Sequence, residues 1–130
     1  VNKENYFSDR FLPALLWLVM LILLIMAPGD QLPEGPKIPG LDKMVHFSLF
    51  GGLLFLWNRA TNSQNESLSI KRFITNHLVL GVIFAILAEE MQQLVPNRSF
   101  DLMDIVANLT GSLIGTLCFY ILYKKKSKFV

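Results

Sequence analysis

Long uncharged runs recur along this chain, separated by short polar stretches. Phe11–Ala27 is 17 residues without a charged side chain, and Ile105–Tyr123 is 19. Phe73–Ala88 is 16, with Thr75, Asn76 and His77 near its start. A fourth run, Met44–Trp57, is shorter and holds His46 and Ser48; it reaches spanning length only together with Leu41, Asp42 and Lys43. About 20 apolar residues carry a helix across a bilayer core. The pattern therefore predicts an all-α fold of four transmembrane helices near 11–28, 42–58, 73–95 and 103–123, forming one membrane domain over 1–130. Nothing alternates with period two, which excludes a barrel. Helices are then required, because lipid leaves no free backbone group satisfied.

Composition agrees: 52% of the 130 residues are hydrophobic and 17% are charged, against about a quarter charged in soluble domains. The first run follows Lys3 and Arg10 like a signal peptide. It is long for one, and Pro28-Gly29 replaces a small-x-small cleavage site, so it is expected to stay as a helix. The single cysteine, Cys118, cannot form an internal disulfide and reads as a small packing residue. No internal repeat is visible.

Basic residues set the expected orientation. Lys3, Arg10, Arg59, Lys71, Arg72, Lys124, Lys125, Lys126 and Lys128 fall on one side, nine in all. Lys37, Lys43 and Arg98, three in all, fall on the other. Both termini are expected in the cytoplasm, with the tail lysines against anionic lipid; so short a tail gives no reason to expect nucleic acid. The loop 28–41, with Pro28, Pro33, Pro36 and Pro39, and the turn 96–102 would then face outward. The loop 58–72 carries no evident chemistry.

Polar chemistry concentrates at the outward ends. Asp42, Lys43 and His46 lie within about one turn. Between residues 89 and 111 the chain reads EEMQQLVPNRSFDLMDIVANLTG. Glu89 and Gln92 continue a stripe of Gly81, Ala85 and Ala88, and small stripes in membrane helices face other helices. Glu90 lies about 100° round that helix and is expected outside. Asp104, Asn108, Gly111 and Gly115 make one stripe on the last helix, a polar end leading into Gly-x-x-x-Gly. At a rise of about 1.5 Å per residue, His46 and Asn108 each lie about 6 Å below the rim, and Glu89 about 10 Å below Pro96. Several of these polar residues also have a structural explanation, which Lys43, a cation in a first helical turn, resists. Asp101 caps the last helix, with Asp104 in its first turn, and Asp42 caps the second. Pro96 stops a helix, Arg98 is an interfacial cation, and His77 is structural. Glu89 fits such an account least, because a carboxylate below the interface costs several kcal/mol unless paired or protonated. Its candidate partners are Lys43, Arg98 and His46.

Together these residues resemble the VanZ-like family of bacterial membrane proteins. LDKMVHFSLFGGL (41–53) matches the family's aspartate-lysine pair and histidine. EEMQQLVPNR (89–98) matches its glutamate and glutamine before a proline-arginine turn. DLMDIVANLTGSLIG (101–115) matches its aspartate, asparagine and two glycines. Spacing to Pro96 selects Glu89 and Gln92 from the doubled EE and QQ. The resemblance implies Asp42, Lys43, His46, Glu89, Gln92, Pro96, Arg98, Asp104, Asn108, Gly111 and Gly115 as family positions. It also implies a bacterial cytoplasmic membrane and, from the member that names the family, a link to teicoplanin susceptibility.

Three functions compete. One is a membrane enzyme or receptor for a lipid or cell-envelope intermediate. There Glu89, His46 and Asp104 are the acid–base candidates, and Asp42, Lys43, Gln92, Arg98 and Asn108 bind ligand, with Lys43 and Arg98 on an anionic head group. Pro96, Asp101, Gly111 and Gly115 are structural in that reading. Another is a non-enzymatic envelope scaffold whose polar cluster only locks the helices. The third is a small transporter, although its acid lies far from the midplane where coupling sites usually form. No metal-spacing motif is present, and His46 with nearby carboxylates leaves a divalent cation open. Cofactors and oligomeric state stay open too; membrane lipids are the expected partners.

Overall fold

The computed structural model describes residues 3–31, 38–63 and 65–130, with side chains from Ser8 onward. Pro33, Pro36 and Lys37 lie outside the described residues. Four long helices run α1 (Lys3–Met26), α2 (Leu41–Thr61), α3 (Ile70–Gln92) and α4 (Leu102–Lys124), with no strand among the described residues. Ser8–Met26, Ile70–Gln92 and Leu102–Lys124 are long and apolar enough to cross a membrane.

The helices alternate in direction, and contacts identify both ends. At one end, Gly29 N–H donates to the Pro96 carbonyl at 3.2 Å. At the other, Arg59 donates to the carbonyls of Asp9 and Phe129, and the Tyr123 hydroxyl to that of Glu66. The second end collects the connection between α2 and α3, the start of α1 and the end of α4.

α2 runs on to Thr61 rather than 58 and α3 starts at Ile70 rather than 73; two further boundaries differ near a proline. α1 begins at Lys3 rather than near residue 11, so Pro13 lies inside it. Proline has no N–H for the carbonyl four residues back. That carbonyl, Asp9 O, instead receives the Arg59 guanidinium at 3.3 Å. α3 stops at Gln92 rather than 95. Pro96 cannot donate to Gln92 O, which takes the Val95 N–H at 3.1 Å in a tightened turn. α2 is capped by Gly40 in the left-handed region (φ 76°), not by Asp42. A side chain at Gly40 would be strained.

α2 occupies the middle of the assembly. Phe50, Leu53 and Leu54 are buried with Leu21 and Ile25 of α1 and with Ala85 and Ala88 of α3. Trp17 closes this core by donating its indole N–H to Leu49 O at 2.8 Å. Against α4, α2 makes a backbone-to-backbone approach. A Cβ on Gly111 would fall onto the Phe47 carbonyl, and one on Gly115 onto that of Gly51. The Gly-x-x-x-Gly contact expected from sequence is therefore made, and its partner is α2. Exposed aliphatic side chains of α1, α3 and α4 (Leu16, Leu23, Ile83, Leu87 and Leu113 among them) face outward. Cys118 is exposed with them rather than packed inside.

α3 is wound loosely between His77 and Ile83, as a π-helix. In an uninterrupted α-helix, Asn76 and Glu89, thirteen residues apart, would point about 140° away from each other. Slower winding reduces that angle, and both side chains are buried.

Candidate functional site

The cluster assembles where α2, α3 and α4 meet near the Pro96 turn. Asp42, Lys43 and His46 come from the first turns of α2, Glu89 and Gln92 from the end of α3. Asp101, Asp104 and Asn108 come from the start of α4. Gly111 and Gly115 determine how closely α4 approaches α2, and so whether its acid and amide reach His46.

Lys43 is the hub of the rim. Its ammonium donates to Asp42 Oδ2 at 2.7 Å and Asp101 Oδ2 at 2.5 Å, and lies 3.0 Å from Asp104 Oδ1. A cation in a first helical turn opposes the helix dipole; three surrounding aspartates offset that cost here. Asp101 divides its carboxylate between two tasks. Oδ1 caps α4 by accepting the Met103 N–H at 2.8 Å, and Oδ2 takes Lys43. The Lys43 ammonium holds the Asp101 carboxyl below its usual range, with the Met103 N–H assisting.

Beneath the rim, His46 Nδ1 and Asn108 Oδ1 are 3.0 Å apart, and His46 Nε2 lies 3.5 Å from Asp104 Oδ2. Asn108 Nδ2 donates to Ala85 O at 3.4 Å, which orients the amide oxygen towards the histidine. An amide oxygen only accepts, so His46 Nδ1 carries a proton. Glu89 sits lowest. Its Oε1 accepts the Asp101 N–H at 2.7 Å, and its Oε2 has no hydrogen-bond partner. Side-chain exposure falls from 61% at Asp42 through 31% at Lys43 to 12% at His46. Glu89 is fully enclosed.

Enclosure increases from Asp42 to Glu89, and Glu89 rather than Glu90 points inward. Glu90 is exposed and accepts from Gln93. Among the described residues no cation makes a hydrogen bond or ion pair with Glu89, although His46 comes within 4.8 Å of it. Lys43 is held by aspartates, and His46 by Asn108 and Asp104. Arg98 is not brought to the cluster: its guanidinium donates to the α1 carbonyls of Leu24 and Ala27 at 3.2 and 3.3 Å. Gln92 is buried beyond Glu89, and Pro96 contributes only its carbonyl, to Gly29. The residue not foreseen as a Glu89 partner is Asp101, through its backbone N–H. Its separation from Glu89 across the Pro96 turn is the only trace of that contact in the sequence.

The cluster holds four carboxylates (Asp42, Glu89, Asp101, Asp104) against one ammonium. With Arg98 elsewhere and Lys43 shared by three aspartates, its surplus is negative. An arrangement of this kind attracts cationic groups and repels free anions. A groove of about 220 Å³ lies elsewhere, between α3 and α4, lined by Phe73, Ile74, His77, Leu113 and Thr116 among others. His77 pairs there with Thr116 at 3.0 Å, and no cluster residue lines it.

No solved structure matches the chain. An uncharacterized protein of Schizosaccharomyces pombe is 34% identical over 111 residues, which are 83% of this chain and 64% of that protein. The chain thus spans somewhat less than two thirds of its relative's length. The family model for VanZ/LLP1 matches residues 5–123. That match takes in all of α2, the acidic end of α3 and the glycine stripe of α4, and the chain belongs to the VanZ/LLP1 family.

Proposed function

We propose that this cluster is a membrane-surface site that binds the polar head group of a lipid or lipid-linked envelope intermediate and acts on it. The observation that carries the reading is Glu89: a fully buried carboxylate with one oxygen unpartnered, beside a His46–Asp104 pair. Such a group is costly in a membrane protein and marks a functional site by default. Glu89, His46 and Asp104 are the reacting groups, while Asp42, Lys43, Gln92 and Asn108 shape the approach. Arg98 supports α1 rather than ligand.

The proposal includes α2 as a fourth span. Its 21 residues reach about 31 Å, and its central position relieves it of the need for a lipid-compatible surface. It also includes, from the family resemblance, a bacterial cytoplasmic membrane, and places both termini inside because basic residues gather at that end. The site then faces outward, and an effect on teicoplanin susceptibility would follow from altered envelope lipids.

In a strain lacking the protein, Glu89→Gln and His46→Ala are expected to accumulate normally yet fail to restore the membrane-lipid profile and drug susceptibility. Restoration by both variants would sink the proposal. A scaffold reading has its own support, because Glu89, Asn108 and Lys43 all tie helices together. It predicts instead that the same variants lose protein.

A further inference from the structure

We infer that His46, Glu89 and Asp104 form a binding site for one divalent transition-metal cation of the Zn²⁺ or Mn²⁺ class. Each contributes one ligand atom, and these atoms lie within 4.8 Å of one another. One comes from each of α2, α3 and α4, the way metal sites are built between facing helices.

Two observations beyond proximity point to the ion. The first is the histidine. Asn108 Oδ1 accepts from Nδ1, which turns Nε2 towards Asp104 Oδ2 at 3.5 Å, so a cation between them would meet both atoms. A ligating histidine commonly donates its other N–H to a carbonyl or carboxylate, which sets tautomer and ring angle. Asn108, itself held by Ala85 O, is placed to do that. The second is Glu89 Oε2, enclosed and without a hydrogen-bond partner, while Oε1 is anchored by the Asp101 N–H. The anchor orients the carboxylate and leaves one oxygen for a ligand.

Charge agrees. Glu89 and Asp104 together neutralise a divalent ion, so the loaded set is electroneutral in a layer where net charge is costly. One imidazole and two carboxylates make a mixed N/O set suited to Zn²⁺ or Mn²⁺. Three protein ligands leave coordination open for water or substrate. Asp42, Asp101 and Asp104 make a second acidic group, but Lys43 already occupies it.

The inference deepens the proposed function and rests on that reading of the cluster. It makes the three side chains ligands of a Lewis acid rather than proton carriers, and the ion would join an acidic site to a phosphate-bearing head group. Full-length protein in detergent, stripped by chelator and dialysed against Zn²⁺, is expected to retain one equivalent by elemental analysis. Co²⁺ is expected to give ligand-field bands that Zn²⁺ displaces. Glu89→Gln and His46→Gln should weaken uptake at least tenfold, and Glu90→Gln should leave it unchanged. Zn²⁺ should also raise the wild-type unfolding temperature reversibly with chelator, a measurement that stands if a ligand variant fails to fold. Absence of stoichiometric uptake by wild type overturns the site, as does uptake unaltered in both ligand variants. Loss of the lipid phenotype in those variants without metal uptake by wild type would sink the metal alone. Metal uptake with an intact variant phenotype would sink the proposed function alone.

Discussion

The helices carry a buried polar cluster at each end, and the two are built from different chemistry. At the terminal end, Asn58, Asn62 and Asn76 are buried around Thr61. Asn76 Nδ2 donates to Asn58 Oδ1 at 3.0 Å and to Thr61 Oγ1 at 2.8 Å. Asn58 Nδ2 returns to Leu54 O, and Asn62 Nδ2 donates to Asn58 O and Thr61 Oγ1. These four side chains are neutral, and one oxygen, Asn62 Oδ1, is left over. At the other end the groups are ionisable, the charge is unbalanced, and the leftover atom is a carboxylate oxygen. Holding helices together in a membrane needs only amides and hydroxyls, whose bonds are worth about 1 kcal/mol each. A lysine, a histidine and four carboxylates exceed that need.

Gly111→Val should have the largest effect, since it attacks the contact between the two ends. The added side chain meets the Phe47 carbonyl, so α2 and α4 must separate. A cost of about 3 kcal/mol is expected from overpacking, read as a lower unfolding temperature in detergent and reduced abundance. Separation would also part His46 from Asn108. Wild-type stability in this variant would mean that the backbones need not approach so closely.

A crossed pair tests the comparison itself. Asn58→Ala removes an acceptor for Asn76 and should cost about 1–2 kcal/mol, while function per folded molecule is retained. Glu89→Gln removes charge from an enclosed position at almost constant shape. It should change stability by less than about 1 kcal/mol in either direction while function is lost. Measured together by unfolding and by complementation, the two variants should fall on opposite axes. If both lose stability and neither loses function selectively, the ends differ only in composition.

Much of the acidic end was legible because helical geometry carries small side chains and acids along one stripe. Gly81, Ala85 and Ala88 pointed Glu89 inward and left Glu90 outside; Asp104 and Asn108 continued into Gly111 and Gly115. What was not legible depends on the backbone. Arg98 serves the carbonyls of Leu24 and Ala27, which have no signature in side-chain sequence. Asp101 meets Glu89 through its N–H, which every non-proline residue possesses. Residues 3–10 hold only Tyr6 and Phe7 among polar neighbours, too short an apolar run to mark the start of α1. The loop 58–72 had looked devoid of chemistry, yet its first residues belong to the amide cluster. Asn58 and Asn62, four apart, were the available signal, with Asn76 in an otherwise apolar run.

Arg98→Gln should have the smallest effect, and it separates the two uses of cations at the acidic end. Lys43 binds only carboxylates, whereas the guanidinium of Arg98 donates to two carbonyls at the end of α1. Those carbonyls lack intrahelical donors, so the arginine acts as a C-terminal cap. Shortening it to glutamine leaves one donor group in reach and should cost about 0.5–1 kcal/mol, seen as faster amide hydrogen exchange in the last turn of α1. Lipid profile and metal uptake should match wild type at equal abundance. A variant that keeps α1 protected but loses function would place Arg98 on the ligand, and the acidic surplus assigned to this end would have to be redrawn with a second cation in it.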